Sequence, residues 1–271
     1  METDGFTWPP RAALAPELAA EVSREPRWMF PWQLTPEVRT PVLSDELPSV
    51  HGTRREMLEP PVRAVLDARG GTATVVDVAG NEGYFAHQLL RWGAGRATCI
   101  DIRDVHVRRA TLVREHFGVP ADRLVVESGD VFALDHDRLG SFDVVLVLGL
   151  IYHVENPMGA LRRARRLTAP GGVCIVESQL TEQREPIRYG GGLTDYFLDA
   201  EASFAAIFEA EQDSNPLASS GGVLSLVPNA AAFELMMRTA GFADVEWLSA
   251  RPDLNPQYVH RHRGMLAGRV D

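Results

Sequence analysis

Residues 74–86 read TVVDVAGNEGYFA, and this stretch decides the fold. Thr74, Val75, Val76 and Val78 are residues of a buried-strand type, interrupted only by Asp77. Ala79-Gly80-Asn81-Glu82-Gly83 follows as a tight turn, and a helical stretch, 84–92, begins at once. Strand, turn and helix in that order mark the start of a nucleotide-binding α/β unit. The turn is poor in glycine for such a unit. Asn adopts left-handed backbone geometry more readily than other non-glycine residues, and Ala79 is expected only to need small size, so the turn keeps its shape.

Outward from this point the pattern is regular. Strands are expected at 74–78, 96–101, 124–128, 142–149 and 172–178, alternating with helices at 83–92, 104–117 and 157–168. Such alternation builds right-handed βαβ units and a parallel sheet. The run FDVVLVLGL at 142–150 has almost no polar alternation, as befits a central strand covered on both faces. A helix at 229–240, closed by Gly241, and two late strands near 244–249 and 257–268 bring the strands to seven. Asn255-Pro256 between the last two predicts a hairpin and hence an antiparallel pair. The expected fold is therefore α/β: a Rossmann-like, doubly wound, mostly parallel seven-stranded sheet with an antiparallel C-terminal hairpin.

Two regions stand outside the alternation. Residues 1–50 are punctuated by proline, with one helical stretch at 12–24 and the aromatic cluster Trp28, Phe30 and Trp32; they read as an N-terminal helical cap on a main domain of residues 51–271. Residues 179–226 carry Gly190-Gly191-Gly192, Gly221-Gly222, an Asn215-Pro216 turn and a helical patch over 199–211. An insertion of that length reads as a substrate lid. Within 53–69 the spacing of Met57, Val62, Val65 and Leu66 predicts a helix, which Pro60-Pro61 should break or restart.

Composition narrows the function. The chain has 271 residues, room for one large core, and no apolar run of the roughly 18 residues that cross a bilayer. METDGFTWPP has acids and prolines where a signal peptide has basic and apolar residues, so a cytoplasmic location and no membrane contact are expected. A net charge of −10 argues against a nucleic-acid partner. All 27 basic residues are arginine, which excludes Schiff-base lysine chemistry, pyridoxal phosphate and a Walker-type phosphate lysine. Cys99 and Cys174 each sit in an apolar strand-like run and read as buried free thiols. His260 and His262 lack a third ligand nearby, so no metal site is assigned.

In an open α/β sheet a ligand binds beyond the carboxyl ends of the strands, at the switch point. Asp77 in the first strand, Asp101 ending the second and Asp130 after the third would line that edge. Asp101 lies 24 positions after Asp77, close to the spacing at which a carboxylate accepts hydrogen bonds from ribose hydroxyls. Taken singly, each aspartate also reads as a turn or helix cap; together they suit a nucleoside.

VVDVAGNEGYF, CIDIR, SGDVF, SFDVVLVLGLIYHV and LTAPGGVCIVE, in that order, resemble the motif set of class I S-adenosylmethionine-dependent methyltransferases. The block LGLIYHVENPMGALRRARRLTAPGGVCIVESQ, with SLVPNAAAFELMMRTAGF later, is most similar to the branch holding tRNA wobble-uridine carboxymethyltransferases and many small-molecule methyltransferases. The resemblance implies S-adenosylmethionine as cofactor and S-adenosylhomocysteine as product. It implies that Asp77 orders the loop and reaches the methionine amino group through water, that the backbone at Ala79, Gly80 and Gly83 packs against the methionine part, and that Asn81 belongs to the same cofactor-binding turn. It implies further that Asp101 holds the ribose, Ile102 flanks the adenine, Asp130 with the Val131 amide reads the adenine edge, and Gly149 faces the sulfonium.

The acceptor side rests on fewer residues. Methyl transfer needs a base only if the acceptor starts protonated. His153, directly after the fourth strand, is the first candidate, and Glu177, at the end of the fifth, the second; a capping or packing histidine and a loop-ordering carboxylate are the alternatives. His51, Arg54 and Arg55 either close over the cofactor carboxylate or form a solvated helix face. The run Arg162, Arg163, Arg165 and Arg166 reads as the solvated side of its helix. The expected activity is O-methylation of a small molecule in specialised metabolism, with a homodimer as a further expectation. The alternatives are a tRNA-modifying methyl- or carboxymethyltransferase and a non-catalytic cofactor-binding module.

Overall fold

The computed structural model describes residues 8–24, 27–182, 187–190, 197–209 and 223–271. The elements run α1 (Pro16–Arg24), α2 (Leu47–Ala68), β1 (Thr74–Val78), α3 (Tyr84–Arg91), β2 (Arg96–Asp101), α4 (Asp104–His116), β3 (Leu124–Ser128), the short α5 (His136–Leu139), β4 (Phe142–Leu148), α6 (Pro157–Leu167) and β5 (Thr168–Gln179). Then come β6 (Ile187–Gly190), β7 (Phe197–Ala200), β8 (Phe204–Glu209), β9 (Val223–Pro228), α7 (Ala230–Thr239), β10 (Ala243–Leu248), α8 (Pro256–Val259) and β11 (Arg263–Arg269).

Seven strands form one sheet in the order β10-β11-β5-β4-β1-β2-β3. β1 pairs in parallel with both β2 and β4, whereas β11 is antiparallel to β5 and to β10. The chain order reverses between β1 and β4, which is where a doubly wound sheet opens a crevice. Alternation within each strand divides the core. Val75, Val144, Leu146 and Ile175 face the layer holding α2 and α3, while Val76, Val145, Val147 and Val176 face the layer holding α6 and α7. Cys99 and Cys174 are buried free thiols on opposite faces.

The N-terminal aromatics belong to this core. Trp28 and Trp32 are buried against α3 and α4 residues, and Phe30 stacks on Tyr84 at 4.7 Å between centroids. On α6, Arg162 and Arg166 are exposed, opposite the buried Leu161, Ala164 and Leu167. No helix among the described residues is long and apolar enough to cross a membrane.

Three local expectations are corrected. Pro60-Pro61 neither breaks nor restarts its helix: α2 runs unbroken from Leu47 to Ala68. Its buried face, including Met57, Leu58, Val62, Val65 and Leu66, outweighs the missing amide donors, and Pro60 lies on the exposed side. The helical patch expected over 199–211 is not a helix over its described residues 199–209, which hold the end of β7 and then β8, because pairing with β9 from Phe204↔Pro228 to Glu209↔Val223 overrides local helix propensity; residues 210–211 lie outside the described residues. The last strand begins at Arg263 rather than 257, since Asn255 caps Gln257 N at 3.0 Å and Pro256 opens the one-turn α8. Gly191-Gly192, Asn215-Pro216 and Gly221-Gly222 lie outside the described residues, as do residues 1–7.

Candidate active site

A cavity of about 760 Å³ opens at the carboxyl ends of β1, β2 and β4. One wall is the turn after β1. Ala79 (φ +57°) and Asn81 (φ +53°) are both left-handed, so Ala79 carries backbone strain and not merely a size limit, a correction to the expectation above. Gly80 cannot carry a side chain: a Cβ there would lie 2.7 Å from Cys99 Sγ and 2.9 Å from Asp77 Oδ2. Gly83 (φ +77°) caps α3 and backs onto Ala110, outside the cavity lining.

Asp77 is buried, and its Oδ2 has no hydrogen-bond partner among the described residues. Burial, then the nearby Asp101 charge, push its pKa up to about 7, against the pull of Arg54. Asp101 is held differently. Its Oδ2 accepts from Asn81 N at 2.9 Å; its Oδ1 accepts from Arg103 N at 2.9 Å and lies 3.2 Å from His106 Nδ1. Burial would raise its pKa, but His106 and the two amides outweigh that and hold it below the ordinary carboxylate value. Asp130 accepts from Phe132 N at 2.9 Å at the start of the 3-10 turn Val131–Ala133. Ile102, Asp130 and Val131 line the cavity, with Ile102 56% exposed.

The floor is a buried polar cluster. Arg54 Nη2 donates to Glu177 Oε2 at 2.9 Å, and Arg263 Nη1 donates to Glu177 Oε1 at 3.0 Å. Tyr258 Oη donates to the same Oε1 at 3.1 Å while accepting from Arg54 Nε at 3.0 Å. Arg263 Nη1 also donates to Tyr152 Oη at 3.0 Å. Burial would raise the Glu177 pKa, but the two guanidinium groups outweigh it and hold it below its ordinary value. Glu177 is fully buried and committed to these three donors. Gly149 sits over the cluster at φ +77°, where a Cβ would lie 3.3 Å from Arg54 Nη2 and 3.5 Å from Glu177 Oε2.

The solvated-face reading of α2 is overturned at two positions: His51 and Arg54 are buried, whereas Arg55 is half-buried. His51 Nε2 lies 3.0 Å from the Met29 carbonyl, and Arg54 Nη1 is 3.4 Å from His51 Nδ1. Burial and the Arg54 charge keep this imidazole well below its ordinary pKa, so it is neutral: Nε2–H donates to Met29 and Nδ1 accepts from Arg54.

His153 ends the 3-10 turn Ile151–His153 after β4 and lines the cavity with its side chain 19% exposed. Its Nδ1 lies 2.7 Å from Glu209 Oε1. Burial lowers its pKa and Glu209 opposes the shift, with a net lowering. Among the candidate residues, then, the cavity gathers Asp77, Ala79, Gly80, Asn81, Asp101, Ile102, Asp130, Val131, Gly149 and His153, and leaves Gly83 and Glu177 behind its walls. The sequence reading passed over His106, Arg263, Tyr258 and Glu209. The one signal for Arg263 is an arginine inside the strand-like run YVHRHRG, directly after His262.

Comparison with known proteins agrees with this architecture. The family model described as a methyltransferase domain matches residues 50–246. Ubiquinone biosynthesis O-methyltransferase of Psychrobacter cryohalolentis is 32% identical over 115 residues, covering 42% of this chain and 43% of that protein. The tRNA U34 carboxymethyltransferase of Cellvibrio japonicus is 28% identical over 113 residues, covering 41% and 34%. The chain thus spans less than half the length of these curated relatives. Among solved structures, the N-terminal domain of EvdMO1 with SAH bound superposes with a TM-score of 0.65 at 21% identity, covering 95% of this chain and 98% of that one, a likeness of fold.

Proposed function

The chain belongs to the methyltransferase-domain family, and we propose that it is an S-adenosylmethionine-dependent methyltransferase acting on a hydroxyl group of a small molecule in specialised metabolism. The observation that carries the reading is Asp77. Its buried, orphaned Oδ2 beside the side-chain-free approach at Gly80 is a site built for a cationic group held close to the backbone. The methionine ammonium fits it. Asp101 Oδ2, which takes only the Asn81 amide, keeps a lone pair for a ribose hydroxyl, Ile102 offers an apolar flank to the adenine, and Asp130 with the Val131 amide offers its edge an acceptor and a donor. Arg54 and Arg263 around the single Glu177 leave one positive charge over, which suits the methionine carboxylate.

Bound S-adenosylmethionine supplies an electrophilic methyl group on a cationic sulfur. The protein's part is to orient the acceptor and take its proton. Gly149 keeps the space over the Glu177 cluster clear, and His153 stands at the cavity wall as the base. Glu177, bonded to three donors, organises the arginines rather than taking protons. The cavity volume falls in the upper part of the roughly 300–1,000 Å³ range of small-molecule sites, room for a nucleoside and a small acceptor. The N-terminal residues 1–50 and the insertion at 179–226 serve as cap and lid.

Calorimetric titration with S-adenosylmethionine and S-adenosylhomocysteine, then turnover on a panel of phenols, catechols and sugars, tests the reading. Binding with turnover on a hydroxylated acceptor is expected, and the absence of any cofactor binding would sink it. His153→Ala should cut turnover about 10² to 10⁴-fold with cofactor affinity unchanged; a loss below about fivefold removes His153 as the base. The likeness to the Cellvibrio tRNA enzyme keeps a second reading in play, which the net charge of −10 opposes. Salt-sensitive tRNA binding would favour it.

A further inference from the structure

Glu209 comes from β8, part of the separate two-stranded sheet β8-β9, and reaches 56 positions back along the chain to touch His153. Its Oε1 lies 2.7 Å from His153 Nδ1 and accepts from Ser225 Oγ of β9 at 2.5 Å. Ser225 is fully buried. Oε2 of Glu209 is also buried and has no hydrogen-bond partner among the described residues. A buried carboxylate with an orphan oxygen is a poor device for stability alone, because an unpaired acceptor is costly to desolvate. Its position on the imidazole is what makes it useful.

We propose that Glu209 is a positioning residue for methyl transfer, its carboxylate fixing His153 with the proton on Nδ1 and the basic lone pair on Nε2. This rests on the reading of His153 as the base. A carboxylate accepting from one ring nitrogen sets the tautomer, limits ring rotation and stabilises the imidazolium that forms when the other nitrogen takes a proton. In the step itself the acceptor O–H bond breaks and its proton goes to Nε2. The oxygen's electron pair forms the new bond to the methyl carbon, and the C–S bonding pair stays with sulfur as a neutral thioether. The positive charge of the sulfonium has then passed to the imidazolium beside Glu209, and solvent takes the proton after product leaves. Among the described residues, Arg263 from β11 and Glu177 from β5 also face His153. Tyr152 packs on the ring from the same turn, at 4.2 Å between centroids. The base's alignment is thus supplied by the insertion, so a competent site requires the β8-β9 hairpin to be docked.

The test uses the full chain with ¹⁵N-labelled histidine and no ligand, comparing wild type with Glu209→Gln, and Glu209→Asp as a conservative partner. Wild type should give ring-nitrogen shifts of a dominant Nδ1–H tautomer above the His153 pKa. Glu209→Gln should give a mixture and a lower His153 pKa, with Glu209→Asp restoring part of the bias. With the hydroxylated acceptor from the turnover screen, Glu209→Gln should lower kcat about 10 to 100-fold while acceptor KM and the calorimetric cofactor affinity stay within about twofold. In a His153→Ala background the same substitution should have no further effect. An unchanged tautomer in Glu209→Gln, or full additivity with an inactivating His153→Ala, overturns this inference and leaves the base assignment standing. Full activity of His153→Ala overturns both, and a lack of cofactor binding strikes the enzymatic reading itself.

Discussion

Glu177→Gln is the sharpest test of how the cavity floor is held. The carboxylate has no exposure and takes hydrogen bonds from Arg54 at 2.9 Å, Arg263 at 3.0 Å and Tyr258 at 3.1 Å. Two guanidinium groups share one negative charge, so neutralising Glu177 leaves two like charges facing each other across a buried carboxamide on the cavity floor. Breaking a buried ion pair by removing one partner costs about 3 to 5 kcal/mol. Gln keeps an acceptor for one donor, so the lower end, about 3 kcal/mol, is expected. At roughly 2 °C per kcal/mol for a chain of this size, the melting temperature should fall by about 6 °C. The pH dependence has a definite sign. A carboxylate whose folded pKa is depressed contributes stability that is present above its unfolded pKa and is lost as pH falls through the folded value. The gap between wild type and Glu177→Gln should therefore be full at pH 7 and narrow below the ordinary value of 4.5. Thermal melts and urea denaturation followed by circular dichroism, repeated from pH 7 to pH 3.5, measure the melting temperature and the pH-dependent gap. A Gln variant that melts within about 1 °C of wild type at pH 7 would refute the account, for the arginines would then be neutralised by something other than Glu177.

With Asp77 pushed up to about 7, much of it is protonated near pH 6.5 before ligand arrives, and a bound ammonium should expel that proton. The calorimetric enthalpy of S-adenosylmethionine binding at pH 6.5 should then depend on the buffer's ionisation enthalpy, and this dependence should vanish in Asp77→Asn. Asp101→Ala removes the Oδ2 acceptor proposed for a ribose hydroxyl, together with its hold on the Asn81 amide, and should weaken cofactor binding by about 10 to 100-fold, at about 1.4 kcal/mol per factor of ten; an unchanged dissociation constant would put the ribose elsewhere. Ala79→Gly relieves a left-handed alanine and should be neutral to about 1 kcal/mol stabilising in urea titration, whereas the β-branched Ala79→Val should destabilise by more than 1 kcal/mol.

Much of the sheet was readable because its signals are local. Val75-Val76 and the 142–148 run announce strands covered on both faces, and the alternation with amphipathic helices leaves few topologies open. The failures were places where tertiary packing outvoted local preference. Nothing within residues 53–69 says that a long buried face will carry a Pro-Pro step, and nothing within 204–209 says that a partner strand will arrive from 223–228. The same divide runs through the site. Asp77, Asp101 and Asp130 are visible because strand ends and turns put them at one edge by connectivity alone. Arg54 and Glu177, 123 positions apart, and His153 and Glu209, 56 apart, meet only through the folded chain. No spacing rule reports such a meeting.

The glycine-poor turn after β1 has a further reason for its composition. Glu82, between Asn81 and Gly83, points away from the cavity and is fully buried. Its Oε1 accepts from Met29 N at 3.0 Å and from Arg109 at 3.1 Å, and its Oε2 accepts from Phe30 N at 3.2 Å. From the other side His51 Nε2 donates to the Met29 carbonyl. Met29 and Phe30 line the cavity, so one turn shapes one wall with its backbone at Gly80 and clasps another wall with its side chain at Glu82. A turn made only of glycines would satisfy the first duty and lose rigidity needed for the second, since each glycine adds freedom that folding must remove. Left-handed Ala79 and Asn81 keep the turn stiff enough that Glu82 meets both amides at once. The strain at Ala79 is therefore offset not in the turn but some fifty residues upstream, in the segment Glu82 holds against the site.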